Sequence, residues 1–171
     1  WRAGAIENPR KYFRDSIREL IDKKNINPRT DLCGIMMETF QGWGAVFYPK
    51  EFVQEVALFA KENDLLLTFD EMQAGFGRTG ELFGYMNYGV EPDLLACGKG
   101  ASSSLPLSIV LGSKEIMDLP GVGSMSSTHS ANPLVCAAGL ANMQALIEDG
   151  LIDNSKDLGV RKYRDRRRNL I

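Results

Sequence analysis

Apolar residues recur at helical spacing over residues 10–24, where Phe13, Ile17, Leu20 and Ile21 define one side of an amphipathic helix. The polar stretch Asn25 to Asp31 interrupts it. Leu32 to Met37 is a short apolar run of the buried-strand kind, ended by Glu38. A glycine-bearing loop through Gly42 and Gly44 follows. Pro49 opens a second helix with Phe52, Val53, Val56, Ala57, Phe59 and Ala60 on its apolar side. Leu65 to Phe69 is a second strand, ending in Asp70-Glu71 and a glycine-rich loop through Gly75, Gly77 and Gly80. Asp93 to Cys97 is a third strand, ending at Gly98-Lys99-Gly100, and Leu107 to Leu111 a fourth. A long alanine- and leucine-rich helix runs from Asn132-Pro133 to about Glu148.

Apolar strands alternating with helices predict an α/β domain with a mostly parallel sheet covered on both faces. No internal repeat or low-complexity linker breaks the chain. Ligands of such sheets bind outside the carboxyl ends of the strands. Three predicted strands end in an ionisable residue there: Glu38, Asp70 and Lys99.

Composition narrows the picture by exclusion. The chain of 171 residues carries 20 basic and 22 acidic residues, a net charge of −2. That balance offers no footprint for nucleic acid or an anionic membrane. No apolar run approaches the ~20 residues that span a bilayer, and no signal peptide is expected. The run Arg161 to Arg168 reads as a solvated helix face or a frayed end. Cys33, Cys97 and Cys136 form no CxxC pair, and with His129 as the single histidine no metal cluster is expected. Reduced, buried thiols in a cytoplasmic protein are the expectation.

A lysine at the end of a buried strand, between two glycines, has a possible chemical use. Desolvation would lower its pKa and make it a Schiff-base nucleophile. A strand-end aspartate can keep a pyridinium nitrogen protonated. Taken alone, however, Lys99 also reads as a surface lysine in a turn and Asp70 as a turn cap. A phosphate-binding GxxxxGK[ST] loop is ruled out, because Asp93 and Gly100 stand where it needs Gly and Ser or Thr.

The wider text is more specific. Phe69-Asp70-Glu71-Met72-Gln73-Ala74-Gly75-Phe76-Gly77-Arg78-Thr79-Gly80 resembles the DEVQTGFGRTG signature of class III aminotransferases. Pro92-Asp93, Gly98-Lys99-Gly100 and Leu105-Pro106-Leu107 resemble the PDI…KG and G-LP-G segments that follow it in that family. Ser127 to Leu134 resembles STFGGNPL, and Glu38 to Gly42 resembles EP-QG. The resemblance covers about residues 32 to 154.

It implies the fold of type I pyridoxal 5′-phosphate (PLP) enzymes, with residues 1–171 forming part of the cofactor-binding large domain. The family's earlier phosphate loop and later small domain are not recognisable in it. It implies PLP as cofactor, Lys99 as the Schiff-base lysine and proton carrier, and Asp70 on the pyridine nitrogen. Gln73 would contact the phenolic oxygen, Met72 would pack under the ring, and Ser127 and Thr128 would hold the phosphate of a neighbouring subunit. The implied activity is ping-pong transamination from an amine or ω-amino acid to a 2-oxo acid, in a homodimer with a shared active site. Decarboxylases, racemases, aminomutases and phospho-lyases of the family share the same lysine and aspartate. A truncated scaffold without catalysis is a further alternative. Glu38 is expected either near the cofactor or bonded to local backbone. Trp43 stands where many relatives carry a glutamate, as a wall of an apolar substrate pocket or as core packing. Arg78 and its glycine loop are expected to brace structure, and His129 replaces a phenylalanine in a loop.

Overall fold

The computed structural model describes residues 6–168, with side-chain surroundings as far as Arg161. The predicted elements are present. Helix α1 (Pro9–Lys24) is capped by Asn8, which accepts from the Lys11 N–H. A short α2 (Pro28–Asp31) leads to strand β1 (Gly34–Glu38). A hairpin, β2 (Phe40–Gln41) and β3 (Val46–Phe47), precedes α3 (Lys50–Glu62) and β4 (Leu66–Asp70). A 3₁₀ turn (Gly84–Tyr88), β5 (Leu94–Cys97), a second 3₁₀ turn (Lys99–Ala101) and β6 (Ile109–Gly112) follow. Then come α4 (Lys114–Met117), α5 (Pro133–Glu148) and α6 (Leu151–Arg168).

The sheet has the order β1-β4-β5-β6. β4 pairs in parallel with β1 and β5, and β6 returns antiparallel along β5. Val53, Val56, Phe59 and Ala60 of α3 form one core cluster with Leu65, Leu67, Phe69, Leu95 and Cys97. Phe13 closes it from α1, standing edge-on to Phe52 and Phe59 at 5.5 and 5.7 Å.

Three expectations are corrected. The sheet is not covered on both faces by the described residues. Met36 is 62% exposed, and Leu66, Val110 and Leu111 are also open. The reason is positional: by register Met36, Leu66 and Val110 share one face of the sheet, whereas α3 packs on the other, against Leu67, Phe69 and Leu95, and Leu111 lies on the edge strand β6. Leu20 is likewise exposed, on the rim of α1. Of the three cysteines, only Cys97, inside β5, is buried. Cys33 lies just before an edge strand, and Cys136 lies on a helix whose buried residue among those described is Gly139.

The hairpin and α6 were not read from the sequence. The hairpin strands are two residues each, too short to show alternation. α6 is strongly polar, and it lies along the glycine loop with Ile152 against Gly77 and Lys156 bonded to Glu81 at 2.8 Å. It takes in the basic run as far as Arg168 as a helix, but side chains beyond Arg161 lie outside the described residues.

The α1–α3 contact carries a buried carboxylate. Glu55, 7% exposed, takes hydrogen bonds from Arg10 and Arg14, and Arg14 also reaches Glu62 at 2.7 Å. Burial pushes the Glu55 carboxyl up, but Arg14 and Arg10 outweigh it and hold its pKa below the ordinary 4.5. A carboxylate depressed in the fold stabilises above its ordinary pKa, and that stability is lost as pH falls through the folded value. Arg14→Ala should therefore cost about 2 kcal/mol in urea unfolding at pH 7. The gap to wild type should narrow as pH drops through the carboxylate range. An undiminished gap at low pH would contradict the ion-pair account.

Candidate active site

Parallel pairing fixes the site. In the β1–β4 ladder Glu38 stands opposite Asp70, and in the β4–β5 ladder Asp70 stands opposite Ala96. Lys99 follows three residues past Ala96. Strand register therefore gathers Glu38, Asp70 and the Lys99 loop at the carboxyl edge of neighbouring strands, as expected.

The Lys99 loop is clamped on several sides. A Cβ on Gly98 would stand 2.4 Å from Met72 Sδ, and one on Gly100 would stand 3.2 Å from Phe76 Cβ. Only glycines let the two loops approach this closely. The Ala101 N–H bonds the Gly98 carbonyl at 2.9 Å. Asn142 of α5 donates to the carbonyls of Gly100 and Ala101 at 2.7 and 3.1 Å. Lys99 itself is held at φ +39°, in the left-handed region that costs a non-glycine residue about 1–3 kcal/mol. Such strain persists only where surrounding contacts over-determine it.

Lys99 opens onto two adjoining cavities. One, of about 310 Å³, is shared with Met72, Gln73 and Arg78; the other, of about 530 Å³, is walled by residues Ser103 to Ser108. The Lys99 side chain is exposed, so the desolvation expected from the sequence is not supplied by the described residues. The sequence gives the apolar strand before Lys99 but not what covers the residue after the turn.

The other candidates separate into those near this edge and those apart from it. Asp70 is half-buried, and its Oδ1 accepts the Met72 N–H at 2.9 Å, fixing the turn after β4. Gln73 is exposed and its stem packs against Gly42. The Met72 thioether lies against Gly98. Glu38 accepts the Gly42 N–H at 3.3 Å, the local backbone bond weighed from the sequence.

Trp43 is 98% exposed at the hairpin tip. It is therefore not core packing, and it is not among the residues that line the two cavities beside Lys99. Ser127 and Thr128 lie in an exposed turn, where Ser127 is bonded to Ser130. Among the described residues no hydrogen bond links Ser127 or Thr128 to Lys99, Asp70 or Gln73. The N-terminal amides of α5 are already met by Asn132, which accepts from Leu134 and Val135. His129 is exposed in the same turn.

Sequence reasoning missed Glu71 and Thr39. Both are 0% exposed. Glu71 accepts from the Thr39 hydroxyl at 2.8 Å, the Gly84 N–H at 2.7 Å and the Tyr85 N–H at 2.9 Å. Burial pushes its carboxyl above the usual glutamate range, against the pull of those donors, and neighbouring Asp70 adds to the rise. The signal was present: at the end of an inward-outward alternating strand, two consecutive carboxylates cannot both face the solvent edge.

The donor set fits PLP. A primary amine can meet its aldehyde, a carboxylate its ring nitrogen and an amide its phenolic oxygen, and all three come from the two loops that pack on one another. The comparisons with known proteins agree. The sequence profile of the class III aminotransferases matches residues 6–165. The chain is 40% identical over 136 residues (79% of the chain, 31% of the relative) to a protein of Bacillus subtilis (strain 168) named "Probable 4-aminobutyrate aminotransferase". It is 40% identical over 141 residues to ornithine aminotransferase 1 of Staphylococcus saprophyticus (81% of the chain, 35% of the relative). A crystal structure of an S-selective transaminase from Bacillus megaterium superposes with a TM-score of 0.74 at 37% identity, over 82% of this chain and 30% of that one. The chain belongs to the class III aminotransferase family, whose enzymes depend on PLP. It spans about a third of the length of the curated relatives it matches.

Cys97, at the end of β5, provides a test of the packing beneath this edge. Burial pushes its thiol up to about 11, with the carboxylates of Glu71 and Asp70 adding to the rise. Iodoacetamide acts on the thiolate. It should label exposed Cys33 and Cys136 readily in the folded chain and spare Cys97 until denaturant is added. Peptide mapping checks this. Cys97 labelling at the rate of the other two would contradict the packed β4–β5 layer.

Proposed function

We propose that the protein containing this chain is a PLP-dependent transaminase that moves an amino group from an amine or ω-amino acid to a 2-oxo acid. The observation that carries the reading is the placement of Lys99, strained and clamped, in the turn just after β5, the strand paired with that of Asp70, at one sheet edge.

When bound, the cofactor supplies an aldehyde that condenses with amines and a ring that draws electrons from the bond being broken. The chain's own residues supply the rest. Lys99 Nζ would hold the cofactor's aldehyde, and its amine would serve as the general base for the proton on the substrate Cα. The Asp70 carboxylate, whose Oδ1 takes the Met72 N–H, would hold a proton on the pyridine nitrogen through Oδ2. Gln73 orients the phenolic oxygen, and Met72 backs the Lys99 loop through Gly98. Glu38 braces the loop to Gly42 beside Gln73. Ser127 and Thr128, turned outward before α5, serve the phosphate of a second subunit.

That second subunit has structural support. α5 is mostly apolar, with Asn142, Gln144 and Glu148 its polar side chains, yet Leu134, Leu140 and Ile147 are exposed, as are Leu119, Val122 and Met125 before it. A helix so largely apolar is built to be covered. A homodimer with a shared site would cover it and would also help to close the open sides of Lys99. The residues form part of the large domain in this reading. Three free cysteines suit a reducing compartment, and we place the protein in the cytoplasm. No helix among the described residues is long and apolar enough to cross a membrane. The relatives are named for 4-aminobutyrate and ornithine, which directs the first substrate trials to ω-amino acids.

Borohydride reduction in the presence of PLP, followed by peptide mass mapping, tests the assignment. The expected result is a pyridoxyl adduct on Lys99, lost in Lys99→Ala together with transamination of ω-amino acids. An adduct on another lysine, or a folded Lys99→Ala that still traps cofactor, would overturn it.

A further inference from the structure

We propose that Glu71 is a positioning residue that fixes the Asp70–Gln73 turn relative to the Glu38–Gly42 loop, and so sets the geometry of the cofactor-binding edge. The inference rests on the functional reading above and deepens it.

Glu71 is joined to three segments at once. Its Oε1 takes the Thr39 hydroxyl at the end of β1 and the Tyr85 N–H, while its Oε2 takes the Gly84 N–H. Its own N–H bonds the Ala96 carbonyl of β5 at 2.8 Å, and its carbonyl accepts the Gly75 N–H at 3.0 Å. Thr39 is tied again through its carbonyl, which accepts from Tyr88 Oη at 2.6 Å. The node has no slack: a Cβ on Gly84 would stand 2.4 Å from Thr39 Oγ1 and 2.8 Å from the Ala74 Cβ.

The residues flanking this node are the site. Glu38 precedes Thr39, Asp70 precedes Glu71, and Met72 and Gln73 follow it. Outside the node the two loops touch where Gln73 packs on Gly42. Cohesion alone does not call for a carboxylate here. A buried charge met only by neutral donors is poor value for stability, and an apolar side chain of similar size would hold the core as well. What a carboxylate adds is direction, since its two oxygens need donors at set angles from two different loops. No Lys or Arg pairs with Glu71 among the described residues.

Glu71→Gln keeps the shape but sets an amide N–H₂ against either the Gly84 N–H or the Tyr85 N–H. The turn must then shift to relieve it. The test uses the intact protein and measures the dissociation constant for PLP by absorbance titration beside the melting temperature. Glu71→Gln should weaken PLP binding about tenfold or more. Thr39→Val, which removes one donor, should weaken it less but in the same direction. Val53→Ala, a core truncation that removes none of the node's hydrogen bonds, should lower the melting temperature while leaving PLP binding within about twofold.

PLP binding unchanged in Glu71→Gln, or weakened equally in Val53→Ala, would overturn the proposal and leave Glu71 a merely structural residue. Should Glu71→Gln fail to fold, Thr39→Val decides: a raised dissociation constant supports the proposal and an unchanged one overturns it. A wild type that binds no PLP would bring down the functional reading itself, whereas a binding wild type with an indifferent Glu71→Gln sinks only the positioning role.

Discussion

A carboxylate withdrawn from water must be met by donors, and the way Glu71 is met organises the rest of the molecule. β4 runs between β1 and β5, so its end is the one point where all three parallel strands can be tied together. Alternation along the strand sends Asp70 and Glu71 in opposite directions. Asp70 faces the open edge, and Glu71 turns into the core to collect donors from Thr39, Gly84 and Tyr85. The inward carboxylate anchors the turn from which the outward one acts.

The same economy appears around Lys99. Gly98 and Gly100 have no side chains, so Met72 and Phe76 can press on the backbone from one side while Asn142 holds the carbonyls from α5. The outcome is a lysine in a left-handed backbone conformation at a strand end, with its amine facing two cavities. Strain here is stored by packing that lies outside the reacting atoms. In the proposed function that arrangement would carry the cofactor, and the exposed apolar residues of α5 and the loop before it are where a second subunit would pack.

Much of the fold was legible because it is written in periodicity. α1, α3 and α5, and the four sheet strands, follow from apolar spacing, and the meeting of Glu38 with Asp70 follows from parallel pairing of strands that end alike. The remainder depends on surroundings that a linear pattern does not carry. Trp43 read from the sequence either as a pocket wall or as core packing, and its place at a hairpin tip, in solvent, removes the core alternative. Cys33 and Cys136 looked buried from their apolar neighbours, yet one precedes an edge strand and the other lies on an uncovered helix face. Lys99 looked desolvated from the strand before it, whereas the turn carries it back into the open. Glu71 was overlooked because the resemblance drew attention to Asp70, although two adjacent carboxylates at a strand end already required one of them to face inward.

The central claim is that the edge of β4 presents Asp70 to the ring nitrogen of a cofactor carried by Lys99. The most direct measurement is the ¹⁵N chemical shift of PLP labelled at the pyridine nitrogen, in the intact protein and in Asp70→Asn. The account predicts a protonated pyridinium nitrogen with Asp70 present and a neutral one in Asp70→Asn, with the cofactor still trapped on Lys99 in both. A nitrogen shift that does not respond to the loss of the Asp70 carboxylate would contradict it.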